Sequence, residues 1–405
     1  MANRKLNILL VTANFPPESV GGAIHNLRVA KYLSRLGCKV DVLTTYPTYP
    51  YGEFKRQTRL YSEEKMENIK VMRIWTFQPT KPSPPVYQRL LQYLIFPLHA
   101  FLRLIPILFF SRKRYDVVVT SHPPEPTLLL GYLIKKFTRM VWVAEFRDPW
   151  LEAAVSLGFI SEKNILYILS EKLRKSALLS ADIFAYASKH IRDGFVKKYR
   201  VKARQIFSPN GVSPEECPLC ERKGKNIIYI GNIGYAYSLE NVVKSLSYVA
   251  DNDLKLLIVG GGDRMPDLLR LTNELGLEDR VKFVGILSHE ETMDLTSKSL
   301  IGLHGQKELD FLEAANPIKV LEYMGCGIPF VAIGVGEIER LAKDSEAGLV
   351  VKDEPILIAK AISSLVENND LRTKMGLNGR KYVEKEYNMP ETISKLYQSI
   401  LSIAP

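Results

Sequence analysis

The sequence predicts an α/β protein of two domains, each a parallel sheet covered by helices. Three observations predict it. The chain has 405 residues, more than one ordinary core holds and enough for two domains of about 200 residues each. Apolar residues make up 46% of it, the composition of a globular chain. Short runs rich in Val, Ile and Leu alternate with helical stretches, and the series starts afresh in the second half.

The first series is LNILLVTA (6–13), a helix near 22–36, KVDVLTT (39–45), IKVMRIW (69–75), YDVVVTS (115–121), MVWVAEF (140–146) and DIFAYAS (182–188). The second is NIIYIG (226–231), LKLLIVG (254–260), VKFVG (281–285), SLIGLH (299–304), IPFVAIG (328–334) and GLVV (348–351). None alternates strictly between apolar and polar, as befits strands buried on both faces. Strand, helix, strand in repetition implies two Rossmann-like domains. The polar, Pro-containing stretch 208–226 places the seam. The expected boundaries are 1–215, 216–388, and a C-terminal helix within 389–405 that crosses back to the first domain.

Arg4 and Lys5 lead straight into LNILLVTA, too short an apolar run for a signal peptide. Four cysteines make no disulfide framework and point to a reducing cytoplasm. Cys217-Pro-Leu-Cys220 is a lone CxxC, better read as a loop with free thiols than as a zinc or redox site. Charge is uneven. Residues 1–200 carry 31 Lys and Arg against 15 Asp and Glu, a net of +16, and residues 201–405 carry 24 against 29, a net of −5. A basic half suits nucleic acid or an anionic membrane surface. The segment 86–112, VYQRLLQYLIFPLHAFLRLIPILFFSR, favours the membrane, at its inner face, and no nucleic-acid partner is expected. Arg103 makes that segment costly as a membrane span, and Pro97 and Pro106 would kink a helix there. A buried helical pair and a helix lying on the membrane both remain open.

Four stretches carry candidate chemistry. PPESVGG (16–22) puts Gly21 and Gly22 at a helix start, where unpaired N–H groups suit a phosphate; His25 and Arg28 follow in the first turns. In NPIKVLEYMGCGIPFVAIG (316–334), Asn316 can cap a helix that Pro317 opens and Gly325 or Gly327 stops. Lys319 and Glu322 then share one face, the lysine near the N-terminus and the carboxylate a turn deeper. Such a carboxylate can accept two hydrogen bonds from a vicinal diol such as that of ribose; a plain surface ion pair is the alternative. YIGNIGYAYSLENVVKSL (229–246), with Gly231, Asn232 and Gly234, and GGGDRMPDLL (260–269) are two more strand–glycine–helix turns. His122, in SHPPEP (121–126), falls at a strand end, the edge where such sheets bind ligands. No DxD follows a strand, so no metal cage is expected, and no cofactor.

Taken in order, these pieces resemble the GT-B glycosyltransferases, and among them the retaining family 4. The resemblance rests on the Gly-Gly loop, Asn210-Gly211 closing the first domain, GGGDRMPDLL, VKFVGILSHEE (281–291) and the run from Lys319 to Pro329. YIGNIG and RDPW (147–150) resemble the branch that builds bacterial surface polysaccharides. The resemblance implies two Rossmann-like domains facing each other across a cleft. It implies metal-independent transfer of a sugar, with retention, from a nucleotide-sugar donor to a glycan or lipid-linked acceptor. The implied donor-binding residues are Gly21, Gly22, Gly231, Asn232, Gly234, Lys319 and Glu322; His25 and His122 lie on the acceptor side. The family's paired glutamates stand seven residues apart. Glu322 matches the second, but Ala314 occupies the first place and Glu313 is one position off. Asn232 stands where the family has a donor-binding arginine. Arg147 beside Asp148 stands where it often has a histidine, and these two are the implied catalytic candidates. The departures leave room for a donor-binding subunit without turnover, and the fold for a nucleotide-sugar epimerase.

Overall fold

The computed structural model describes residues 5–18, 20–49, 51–81, 84–106, 115–156, 158, 160–219, 224–307, 313–314 and 317–404. Asn316, Cys220 and the 107–112 end of the apolar segment lie outside the described residues. The chain divides into two compact units, Met1–Pro209 with Pro390–Pro405, and Asn210–Met389.

The seam therefore falls six residues before the expected one. Backbone bonding explains it: the Val212 N–H donates to the Tyr387 carbonyl at 3.0 Å, and the Met389 N–H to the Val212 carbonyl at 3.0 Å. Residues from Asn210 onward are thus fastened to the end of the second unit.

The first unit has eight strands: β1 (Asn7–Val11), β2 (Lys39–Thr45), β3 (Tyr61–Met66), β4 (Ile69–Ile74), β5 (Val117–His122), β6 (Val141–Phe146), β7 (Ile183–Tyr186) and β8 (Arg204–Phe207). Their order is β3-β4-β2-β1-β5-β6-β7-β8, parallel throughout except for the β3–β4 pair. Every apolar run of the first half lands on a strand. β3 (YSEEKM) and β8 (RQIF) were not legible, because both are edge strands, partly exposed and too polar to resemble buried ones. The helices are α1 (Gly21–Arg35), α2 (Val86–Ile105), α3 (Pro126–Phe137), α4 (Trp150–Ser156), α5 (Ile165–Ser180) and α6 (Lys189–Lys198).

Helix α2 continues through Pro97 as a single helix, and Pro106 stands at its C-cap. One side of it is interior, at Gln92, Phe96, Ala100 and Leu104. Arg89 and Arg103 do not reach into an apolar medium. Each guanidinium lies over a ring of its own unit, 5.6 Å from the Tyr51 centroid and 3.8 Å from that of Tyr61. Among the described residues no helix is long and apolar enough to cross a membrane.

The second unit has six strands, all parallel: β9 (Asn226–Ile230), β10 (Lys255–Val259), β11 (Val281–Gly285), β12 (Ile301–Gly305), β13 (Phe330–Ile333) and β14 (Gly348–Val351). Their order is β11-β10-β9-β12-β13-β14. Its helices are α7 (Leu239–Ser245), α8 (Met265–Glu274), α9 (His289–Ser297), α10 (Ile318–Gly325), α11 (Glu337–Ser345), α12 (Pro355–Glu367) and α13 (Asn369–Glu386). The last helix, α14 (Met389–Leu401), is counted from Pro390 with the first unit. There it buries Ile393, Leu396 and Ile400, and the Arg204 guanidinium donates to Ser402 at 2.7 Å.

Both sheets run outward in two directions from a first strand: β1 lies between β2 and β5, and β9 between β10 and β12. At such a switch point the two neighbouring connections leave on opposite faces and open a crevice beyond the strands' carboxyl ends. In each unit this is where a ligand site is expected.

Candidate functional site

In the second unit the switch point is built around Tyr323. β9 and β12 pair only at Ile227 and Ile228 and then part. The fully buried Tyr323 of α10 bridges the gap: its hydroxyl accepts from the Ile230 N–H at 3.0 Å and donates to the Leu303 carbonyl at 3.1 Å. Two backbone groups that the split would leave unpaired are satisfied. The ring lies against Gly302, where an added Cβ would come within 2.2 Å of it. Helix α10 is thereby fixed to the strands whose ends form the crevice.

That anchor sets Lys319 and Glu322, one turn and one residue away. Lys319 Nζ donates to the Tyr229 hydroxyl at 2.8 Å and lies 4.1 and 4.3 Å from the ring centroids of Tyr229 and Tyr237. Two aromatic faces attract the ammonium but hydrate it poorly. Desolvation lowers its pKa from 10.5 to about 7, against the opposing pull of Glu322. Gly231 makes room for it. Its φ is +116°, and an added Cβ would approach Lys319 Nζ to 3.0 Å. Glu322 is buried, and its Oε1 lies 3.8 Å from Nδ1 of His289, the first residue of α9. The pair is therefore not a surface ion pair on an ordinary helix.

The glycine turns close in on the same place. An added Cβ on Gly260 would fall 2.0 Å from the Gly231 carbonyl, and one on Gly262 2.4 Å from that of Ile233. The two predicted turns are thus packed against each other. Asn232 is exposed, and its carbonyl accepts the Tyr229 hydroxyl at 2.7 Å. His304, in β12, is buried and 3.2 Å from Gln306; desolvation and then Lys319 lower its pKa to about 3. Helix α10 starts at Ile318 with Pro317 at its N-cap, and Gly327 at φ +72° follows its end.

The first unit's switch point is filled differently. His25 and Arg147 are both buried. His25 Nε2 is 2.9 Å from Glu145 Oε1 and 2.9 Å from Arg147 Nη1. Arg147 Nη1 also donates to Glu145 at 3.1 Å and to the Ser208 carbonyl at 3.0 Å. Desolvation and then Arg147 push the His25 pKa from 6.5 to about 4, so the ring is neutral. Burial acts to raise Glu145, but His25 and Arg147 outweigh it and bring its pKa down to about 2. His122 is also fully buried, 3.0 Å from Glu125, which is itself paired with Arg174. The two histidines expected on the acceptor side are thus interior, and neither ring is open to an acceptor. Asp148 is the exposed member of this region. Its carboxyl is desolvated enough to hold its pKa above the ordinary value, against Arg147 and His122. Gly21 and Gly22 open α1, as expected.

Two family models match the chain. Glycosyltransferase Family 4 covers residues 20–216 and Glycosyl transferases group 1 covers residues 219–382. The chain belongs to the GT-B glycosyltransferases. A glycosyl transferase of Escherichia coli (strain K12), named for colanic acid biosynthesis, is 23% identical to it over 98% of this chain and 100% of its own. The sucrose-phosphate synthase of Thermosynechococcus elongatus has the same fold, with a TM-score of 0.75 at 17% identity over 98% of this chain and 100% of that one. So has Anabaena HepE, solved with UDP-glucose, with a TM-score of 0.70 at 16% identity over 98% and 100% of the two chains.

In this glycosyltransferase Ala314, at the place of the family's first glutamate, is buried. Glu313 beside it offers its carbonyl to the Glu337 N–H at 2.8 Å, at the start of α11. Sequence reasoning missed Tyr229, Tyr237, His289 and His304. Tyr229 and Tyr237 stood in a motif read for its glycines, and His289 in one read for its acids. His304 ended a predicted strand.

Proposed function

We propose that this glycosyltransferase takes a sugar from a nucleotide-diphosphate sugar and places it, with retention, on a lipid-linked glycan in cell-surface polysaccharide synthesis. The observation that carries the reading is the α10 face. Lys319 offers an ammonium hydrogen-bonded, among the described residues, to a phenol, and Glu322 offers a buried carboxylate three residues on. In this reading the diphosphate lies over the Gly231–Gly234 turn, against Lys319 and beside Asn232, and Glu322 accepts the ribose hydroxyls. Leaving-group charge grows on the diphosphate as the glycosidic bond breaks. A cation and backbone N–H groups at a glycine turn stabilise that charge without a metal ion, and we assign Gly21 and Gly22 to donor binding as the family resemblance implies. We assign Asp148 to the reacting centre on the acceptor side, and Arg147 to positioning it from beneath. The UDP-glucose complex of Anabaena HepE supports the donor class. The name of the Escherichia coli relative supports the polysaccharide setting.

The test is a nucleotide-sugar panel against membrane extract, with Glu322→Ala alongside. Losing a charged acceptor of two hydroxyls should weaken donor binding about 10- to 100-fold. Donor affinity untouched by Glu322→Ala would remove the ribose assignment. Epimerised sugar nucleotide formed from donor alone would replace transfer with epimerisation. Tight donor binding with no turnover on any acceptor would leave a binding subunit, which the alanine at 314 favours.

A further inference from the structure

We propose that the exposed face of α2 is the surface by which this protein docks on an anionic lipid bilayer. The face is a ladder of five apolar side chains: Tyr87, Leu91, Leu94, Leu98 and Leu102, exposed by 61, 40, 49, 61 and 58%. At 100° per residue these positions fall within an arc of about 80°, along about 22 Å of helix. The residues that α2 buries lie on the other side, so the ladder is not a loosely packed core stripe. The two charged residues within α2, Arg89 and Arg103, are turned onto Tyr51 and Tyr61, which leaves the ladder without a formal charge. Helix α3 packs against α2 and adds exposed Leu129 and Phe137. A water-facing surface seldom keeps so continuous an apolar strip without a partner.

Charge selects the partner. The ladder belongs to the half of the chain that carries +16. A two-fold contact between copies through this face would bring two such halves together, at a repulsive cost. An anionic bilayer gains from the same charge, at about 1 kcal/mol for each basic residue near its surface. The geometry suits a helix lying in the interface rather than spanning it. The arc is narrow, and the opposite side of α2 is occupied by its own unit. This inference extends the lipid-linked acceptor of the proposed function, and it is tested without donor or turnover, so the two fail separately.

The experiment is sedimentation of the full chain with vesicles of phosphatidylcholine alone and of phosphatidylcholine mixed with phosphatidylglycerol. The wild-type protein should bind the mixed vesicles, less so as salt is raised. Leu98→Glu combined with Leu102→Glu should weaken binding about tenfold or more. Both positions are exposed, so the variant should melt as the wild type does by circular dichroism. Failure of the wild type to bind the mixed vesicles overturns the proposal, and so does a folded variant that binds them equally well. A concentration-dependent dimer that the variant abolishes, with vesicle binding intact, would assign the face to a second copy and overturn it too.

Discussion

At the carboxyl end of β6, against α1, the first unit holds a histidine, a glutamate and an arginine within 3.1 Å of one another. At the ends of β9 and β12 the second unit holds a lysine that, among the described residues, donates to a tyrosine hydroxyl. The two sheets share one strand order about their first strands, yet their polar groups are used in opposite ways. In the first unit the charges neutralise each other inside the protein, with Glu145 as the anion. In the second the cation sits between ring faces in surroundings whose desolvation lowers its pKa to about 7 despite Glu322. A closed network stabilises and positions; a cation with no carboxylate hydrogen bond among the described residues is suited to an incoming anion. On the proposed reading, this difference assigns the diphosphate to the second unit.

The largest effects should come from breaking the closed network. Glu145→Ala leaves the Arg147 guanidinium buried without its anion, which typically costs about 3–5 kcal/mol. Urea unfolding should show a loss of that size, while nucleotide binding by the folded fraction stays at the wild-type level. Lys319→Met should do the reverse, removing a desolvated ammonium with little cost in stability and weakening nucleotide binding about tenfold or more. If Glu145→Ala proved harmless to stability, or Lys319→Met harmless to binding, the contrast between the two sites would fail.

Acid offers a second way in. The folded protein keeps His25 neutral down to about pH 4, whereas an unfolded chain protonates it at its ordinary value of 6.5. Between these two values the unfolded chain binds more protons, so stability falls as the pH is lowered and the loss is complete below the folded value. The displacement corresponds to about 3 kcal/mol. His304, held to about 3, adds a loss of the same sign from the second unit. Urea midpoints followed from neutral to acid pH should show this slope, and His25→Gln should flatten it. An unchanged slope in that variant would mean that the His25 ring is not held neutral.

Tyr323→Phe probes the open site at smaller cost. It strips the Ile230 N–H and the Leu303 carbonyl of their shared partner, leaving two buried backbone groups unpaired, for about 2 kcal/mol. Because the hydroxyl holds α10 to the parted strands, nucleotide affinity should fall together with stability. Stability lost at constant affinity would show that α10 keeps its place without this tie.

What could be read from the sequence follows the same physics. All twelve apolar runs became strands: ten are interior to their sheets, and the edge strands β11 and β14 kept enough Val, Leu and Phe to be read with them. The edge strands β3 and β8 were hidden by their polarity. Lys319 and Glu322 were legible because helical periodicity fixes which residues share a face. Their surroundings were not. Glu145 meets His25 and Arg147, and Lys319 meets Tyr229, only once distant segments have packed. His25 and His122 looked available because one falls in the first turns of a helix and the other at a strand end, where a single sequence gives no measure of depth. The seam lies within the polar 208–226 stretch, six residues before the expected boundary, where Val212 is already hydrogen-bonded to Tyr387 and Met389.

The smallest effect on stability, and the finest test of the first unit's part, comes from Gly22. Gly22 shows no positive φ, and an added Cβ would meet nothing closer than Asn14 Nδ2 at 3.8 Å. The fold therefore does not require glycine there, unlike Gly231, whose φ and lysine neighbour both do. Gly22→Ala in the first turn of α1 should leave the unfolding free energy unchanged or raise it by up to about 1 kcal/mol. If the helix start admits a phosphate close to its backbone, the same methyl group stands in the ligand's way, and turnover should fall while the melting temperature holds. Turnover that survives the substitution would remove this loop from the donor's phosphate contacts and leave the second unit's turns and Lys319 to hold it.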